Sequence, residues 1–163
     1  MFQFINFVFI FNISFMKKPE IIIKENCLED AILVSQQIPE FEDAYPKSEY
    51  ENRFKNVKHL ILTAYVNNKP IGFKIGYETP TKQNFYSWMG GVLPKYRLLG
   101  IAEKLMGYQE QWAVQAGYLI ILVKTRTKCK TMIKLLQKTE FIQMGIIPYS
   151  PDEETRILYK KKL

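Results

Sequence analysis

The sequence predicts an α+β domain that contains an antiparallel hairpin and one parallel pair of strands. Three observations carry this. "HLILTAYV" and "PIGFKIGYE" are apolar, β-prone runs flanking "NNK", the composition of a tight hairpin turn. "NFYSWMGGV", "GIAEKLMGYQEQWAVQAG" and "YLIILVKT" then follow as strand, helix and strand, a βαβ unit from Phe85 to Thr125 whose strands are parallel because a helical crossover joins them. No internal repeat or low-complexity linker interrupts the elements after Pro19.

The elements follow in chain order. Residues 1–15 form an uncharged, phenylalanine-rich extension ahead of a single domain spanning 16–163. The extension lacks the basic start and small-residue cleavage site of a secretory signal, and it is too short and too interrupted by Asn6 and Asn12 for a membrane span. An over-extended start ahead of Met16, an extra strand and a membrane-surface anchor are the readings that remain. "EIIIKEN" is a short strand, and "LEDAILVSQQI" has helical spacing at Leu28, Ile32 and Ser35. Ser48, with Glu51 three residues on, predicts the capping box of a second helix. The hairpin comes next, and then the strand "NFYSWMGGV", whose terminal Gly90-Gly91 predicts a bulge or a close backbone approach. The crossover helix carries Ile101, Leu105, Tyr108 and Trp112 on one stripe and ends at Gly117. "YLIILVKT" is continuously apolar, the pattern of a strand covered on both faces. "KTMIKLLQKTEF" is a further helix before the final strand "TRILYKKK".

Composition narrows the function. A chain of 163 residues with 47% hydrophobic content fits one domain able to bury roughly two-thirds of its unfolded surface. A net charge of +7 points to an anionic partner. Cys27 and Cys129 are far apart and outside any C-x-x-C pattern, which favours a reducing, cytoplasmic setting, and a single histidine, His59, argues against zinc. The lysines of "VKTRTKCKTMIKLLQK" and "YKKKL" come without a reading helix or an aromatic platform, so no nucleic-acid partner is expected.

The stretch "GGVLPKYRLLGIAEKLM" places a cation, Arg97, and a glycine, Gly100, at a strand-to-helix turn. Such a turn lies where α/β sheets seat ligands, and the free N–H groups of the helix start attract phosphate. Gly100 and the small Ala102 let a ligand approach the backbone. The stretch resembles the acetyl-CoA signature of the GNAT N-acetyltransferase superfamily: a strand ending in Val, then Pro, then R-x-x-G-x-A opening a helix. The resemblance runs from about Glu20 to Leu163 in its order of elements. It implies a mixed, mostly antiparallel sheet of six to seven strands with a central parallel pair splayed for the cofactor, flanked by about four helices. It also implies acetyl-CoA as cosubstrate, held by Gly91, Val92, Arg97, Leu98, Leu99, Gly100, Ile101, Ala102 and Cys129. The strands are expected to part at Gly90-Gly91, where an amide-bearing arm can fill the gap as a pseudo-strand.

The implied reaction is acetyl transfer to a primary amine of a small molecule or peptide by direct attack. The family's usual acid on the second parallel strand is Lys124 here, its Asn beside the cofactor is Cys129, and its thiolate-protonating Tyr is Leu136. Glu78, at the end of "PIGFKIGYE", is the candidate base, with Tyr86 as proton relay. Glu40, Tyr50 and Trp88 are expected to receive the acceptor, the acidic loop from Glu40 to Glu51 drawing in a cationic amine. The arrangement leaves room for a homodimer. The alternatives are a non-catalytic acyl-CoA sensor and, further off, a basic nucleic-acid module.

Overall fold

The computed structural model describes residues 19–163, so the reading of residues 1–15 lies outside the described part. The elements are β1 (Ile22–Glu25), α1 (Leu28–Ser35), α2 (Lys47–Phe54), β2 (His59–Val66), β3 (Lys69–Glu78), β4 (Asn84–Val92), α3 (Ile101–Gln115), β5 (Ile120–Arg126), α4 (Lys130–Lys138), β6 (Ile142–Ile147) and β7 (Arg156–Lys162). They build a seven-stranded sheet in the order β1-β2-β3-β4-β5-β7-β6. Neighbours are antiparallel except β4 and β5, the ends of the βαβ unit. The order of elements read from the sequence lacked β6. Its sequence "IQMGII" has no polar alternation, and as an edge strand it leaves five of its six residues exposed, so no buried face marked it.

Local chemistry accounts for most boundaries. Asn67 and Asn68 take φ of 48° and 60°, the left-handed pair that a two-residue hairpin turn requires. Gly117 closes α3 with φ of 87°. α2 departs from expectation: it starts at Lys47 behind Pro46, whose extended backbone serves as the cap, and Ser48 lies inside the helix. The bulge is also displaced. Ile75 pairs with Met89 and Gly76 with Ser87, so the extra residue is Trp88. Gly91 supplies the close approach instead, since a Cβ there would meet Ile38 Cδ1 at 2.5 Å.

Two apolar cores cover the sheet. On one face, Leu60, Leu62, Phe85, Ile121 and Val123 pack against Leu105 and Met106 of α3 and Leu136 of α4. On the other, Ile61, Phe73 and Ile75 pack against Val34 of α1 and Tyr50 and Phe54 of α2. Fully burying each large side chain contributes about 1.5–3 kcal/mol. Two expected patterns are corrected by this packing. Tyr108 leaves the α3 stripe and donates a 2.8 Å hydrogen bond to Glu25 at the surface, and Gln109 is buried in the helix face instead. β5 is covered on one face only: Ile121, Val123 and Thr125 are buried, and Lys124 between them is exposed.

Candidate functional site

The parallel ladder is short. It runs from Asn84 with Ile120 to Ser87 with Val123 and then stops, although β4 continues to Val92 and β5 to Arg126. The strands therefore part just after Ser87, earlier than Gly90-Gly91. The Leu93 N–H reaches across to the Ile71 carbonyl of β3 at 2.9 Å, so alternation turns the polar backbone of Val92 towards the gap. There the Val92 carbonyl accepts a 3.1 Å bond from Arg97 Nε.

Beyond the gap, a single 3₁₀ turn (Pro94–Tyr96) leads into Arg97, then into Leu98 and Gly100 with φ of 63° and 77°. An added Cβ at Gly100 would meet nothing within 4 Å, so the left-handed backbone, rather than crowding, calls for glycine. Ile101 is 1% exposed and Leu99 packs on the same core, so what these residues offer a ligand is backbone. Leu98 is 98% exposed. α3 opens without a side-chain cap, which leaves its first N–H groups and the positive end of its dipole turned outward. This cradle of open strand edge, left-handed turn and uncapped helix start suits the amide arm and pyrophosphate of a coenzyme A ester.

The acidic loop between α1 and α2 is tied across this region. Glu40 forms a bidentate pair with Arg97, both contacts at 2.8 Å, and its backbone carbonyl accepts a 2.7 Å bond from Arg126. The hydrogen bond from Arg97 holds the Glu40 carboxyl below its ordinary pKa. Glu42 pairs with Lys128 at 3.5 Å. Glu40, expected to face the acceptor, is thus committed to Arg97. Glu154 joins Lys128, Arg126 and Arg156 in one cluster, and its carboxyl is held down to about 2, first by the hydrogen bond from Lys128.

Trp88 and Tyr86 stand on the α1/α2 face of the sheet. The Trp88 ring packs against Tyr45 at 5.4 Å, Tyr50 at 5.3 Å and Tyr77 at 5.9 Å. Arg53 lies 4.4 Å over the same ring and is fixed there by Glu49 and by a 3.1 Å bond to the Tyr77 hydroxyl. Tyr50 is fully buried, so it backs this wall instead of reaching an acceptor. The Tyr86 phenol is pushed up to about 12, chiefly by burial, which keeps it a neutral donor at pH 7. Glu78 is not brought to this face: it accepts a 3.1 Å bond from Tyr118 among the residues packed under α3, and it pairs with Phe85, before the gap opens. Leu136 is fully buried in the α3/α4 core. Cys129 immediately precedes α4, beside an open cleft of about 670 Å³ lined by Thr127, Lys128, Lys130, Asp152, Glu153 and Thr155. His59 stacks on Phe54 at 4.4 Å as a packing residue.

The structure thus gathers Val92, Arg97, Leu98 and Gly100 at one cradle and sets Trp88 and Tyr86 beside it. Arg53, Arg126 and Arg156 were not foreseen. For Arg126 and Arg156 the signal in the sequence was period-2 spacing, Lys124 with Arg126 on one strand, which acquires meaning only once β7 is placed beside β5, whereas Arg53 on α2 gave none.

Comparison with known proteins agrees with this geometry. Residues 30–141, more than half of the chain, match the model of the acetyltransferase (GNAT) family. No curated protein matches the sequence. Among solved structures, Ard1 from Thermoplasma volcanium superposes with a TM-score of 0.74 at 15% identity, covering 88% of this chain and 97% of its own. The structure of yncA from Salmonella typhimurium with its cofactor acetyl-CoA gives 0.72 at 10% identity, covering 88% and 94%. The IAA acetyltransferase from Bacillus cereus gives 0.68 at 16% identity, covering 88% and 100%. With its family model, its strand order and its open parallel pair in agreement, the chain belongs to the GNAT acetyltransferase family.

Proposed function

We propose that this protein is an acetyl-CoA-dependent N-acetyltransferase acting on a primary amine by direct attack. The observation that carries the reading is the Val92 edge, turned into the gap between β4 and β5 beside the uncapped start of α3. In this reading Val92 holds the pantetheine arm by backbone, while the polar backbone of Gly91 turns to β3, so the Gly91 expected at the cofactor serves only to let Ile38 come close. The N–H groups of the first α3 turn receive the pyrophosphate, with Gly100, Ile101 and Ala102 leaving it room. Arg97 adds charge once Glu40 releases it, and Leu98, Leu99 and Cys129 border the seat.

Bound acetyl-CoA supplies an activated acyl group. The amine nitrogen attacks the thioester carbon, the carbon–sulfur bond breaks, and the amine loses one proton as the thiolate leaves. An alkylamine has a pKa near 10 and a thiol near 8.5, so removing the amine proton is the harder task. In this reading Tyr86, on the same face as Trp88, holds the amine or relays its proton. Glu78 faces away under α3, and the proton passes to water. Much of the acceleration then comes from holding the two partners together.

The test is calorimetric titration of coenzyme A together with thiol release from acetyl-CoA over a panel of primary amines. Binding with amine-dependent release is the expected result. Binding with no release for any amine favours a non-catalytic acyl-CoA sensor, the second reading, which Lys124 and the buried Leu136 support by standing where the family's acid and thiolate donor usually are. No helix among the described residues is long and apolar enough to cross a membrane. The cytoplasmic setting is part of the proposal and rests on the two cysteines, which are free and outside any C-x-x-C pattern.

A further inference from the structure

The strand pairing places four cations on the face of the sheet that carries Trp88 and Tyr86. Ile121, Val123, Ile157 and Tyr159 are buried against α3 and α4, so the alternate residues of β5 and β7 emerge on the opposite face. Directly paired residues share a face. Lys124 is opposite Leu158, Arg126 opposite Arg156, and Leu122 opposite Lys160. Lys124, Arg126, Arg156 and Lys160 therefore line one surface next to the gap. Since Ser87 and Val123 form the last parallel pair, Trp88 and Lys124 are the first residues to flank the gap.

Three carboxylates near this face are already engaged, whereas Asp43, Asp152 and Glu153 lie further out, beside Glu42 and Lys128, without an ion pair among the described residues. Glu154 is bound by Lys128, Arg126 and Arg156, Glu49 holds Arg53, and Glu40 holds Arg97. Lys124 is exposed and makes no ion pair among the described residues. Arg53 lies 4.4 Å over the Trp88 ring and donates to the Tyr77 hydroxyl, whose ring packs on Tyr86, so its charge is close to the proposed amine seat. A purely cationic acceptor is repelled by such a surface, and a polar group of negative charge is attracted.

Resting on the acetyl-transfer reading, we propose that the acceptor amine also carries an oxyanion, a carboxylate or a phosphate, which Lys124 holds while the amine enters the gap beside Trp88, with Arg126 and Arg156, both paired to Glu154, adding net positive charge. The acidic loop was expected to recruit a cation; with Glu40 and Glu42 spent on Arg97 and Lys128, the surface selects the opposite charge.

The experiment compares kcat/KM for thiol release with matched acceptors: β-alanine against its amide, phosphoethanolamine against ethanolamine, and 1,3-diaminopropane as the cationic arm. The oxyanion members should lead by roughly 10- to 100-fold, the range of one charge-assisted hydrogen bond, and the lead should shrink with salt. The carboxylate and phosphate arms show which oxyanion is preferred. Lys124→Gln should abolish most of the lead and Lys124→Glu should reverse it, with acetyl-CoA affinity unchanged by calorimetry. A faster neutral or cationic acceptor, or an undiminished lead in Lys124→Gln, overturns the proposal. If no amine is acetylated, the transfer reading fails by itself. Titration of the same amines into the coenzyme A complex then decides the charge preference: tighter binding of the oxyanion members supports the proposal, and equal or weaker binding overturns it.

Discussion

Replacing Lys74 by methionine should make the protein more stable. Lys74 sits in the middle of the sheet, paired with Leu62 of β2 and Gly90 of β4, and is 5% exposed. Burial lowers its pKa from 10.5 to about 8, opposed only by attraction to Glu110, which is itself paired with Lys161 at 2.8 Å. The folded state thus holds the proton less tightly than the unfolded chain. Below about pH 8 both states are charged and folding bears the whole penalty. A gap of about 2.5 units at 1.36 kcal/mol each makes that about 3 kcal/mol. Between about pH 8 and 10.5 the unfolded state binds more protons, so wild-type stability should rise, by about 2 kcal/mol from pH 7.5 to 9.5. The raised phenols of Tyr65, Tyr86 and Tyr118 work in the opposite sense, but their stabilisation begins to be lost only above their unfolded value of 10, outside this window. Methionine keeps the length of the buried stem and removes the charge. Urea unfolding at pH 7.5 and 9.5 should show Lys74→Met more stable at the lower pH by up to about 3 kcal/mol, with an unchanged m-value and without the rise. A variant that is less stable than wild type at pH 7.5, or that keeps the rise, would refute the reasoning and show the ammonium to be satisfied internally.

Six further variants have expected outcomes. Glu40→Gln should tighten coenzyme A binding in calorimetry, because Arg97 no longer has a carboxylate to leave, and Arg97→Ala should weaken it by about 1.5–3 kcal/mol if the guanidinium reaches the pyrophosphate. Gly100→Val should weaken binding and also lower thermal stability by at least about 1 kcal/mol, since a β-branched residue is strained at the observed φ of 77°; an unchanged Tm would remove that explanation. Tyr86→Phe should reduce turnover with coenzyme A affinity intact, whereas Glu78→Gln should leave the pH profile of turnover in place and show only a weakened bond from Tyr118 in unfolding, worth about 1 kcal/mol. Glu154 is held down to about 2, so its stabilising effect is full above its unfolded value of 4.5 and is lost as pH falls through about 2; acid unfolding of Glu154→Gln should lack that dependence.

What was legible in the sequence was what local chemistry decides. The paired asparagines specify the hairpin, Gly117 ends α3, and the spacing from Arg97 to Ala102 marks the turn that opens the helix. Features set by partners distant in sequence were not. β6 is held by β7 alone and has no buried face to announce it. Trp88 is a bulge only because Ile75 and Gly76 on the neighbouring strand skip over it. Glu40 looked free to meet a substrate until the fold brought it to Arg97, 57 positions on. Lys124 was visible as a departure from the family pattern, but its company of arginines required β7 beside β5. Glu78 follows Tyr77 by one residue, and that single step puts it on the opposite face of the sheet.

Between the pairs Ser87–Gly76 and Met89–Ile75, β4 is one residue longer than the strand it lies against, and the surplus residue is Trp88. Deleting that residue would bring Met89 next to Ser87 without disturbing any later pairing with β3, so Gly91 would still meet Ile38 and Val92 would still face the core. Deletion elsewhere in the strand would reverse the faces of the residues on one side of it. The surplus falls where the ladder to β5 ends, and a bulge adds twist and bends its strand. A strand shortened there would be free to straighten and go on pairing, Met89 with Lys124 and Gly90 with Thr125, narrowing the gap that leads to Val92. The width of the opening is thus a matter of chain length: one residue more on one strand than on its neighbour.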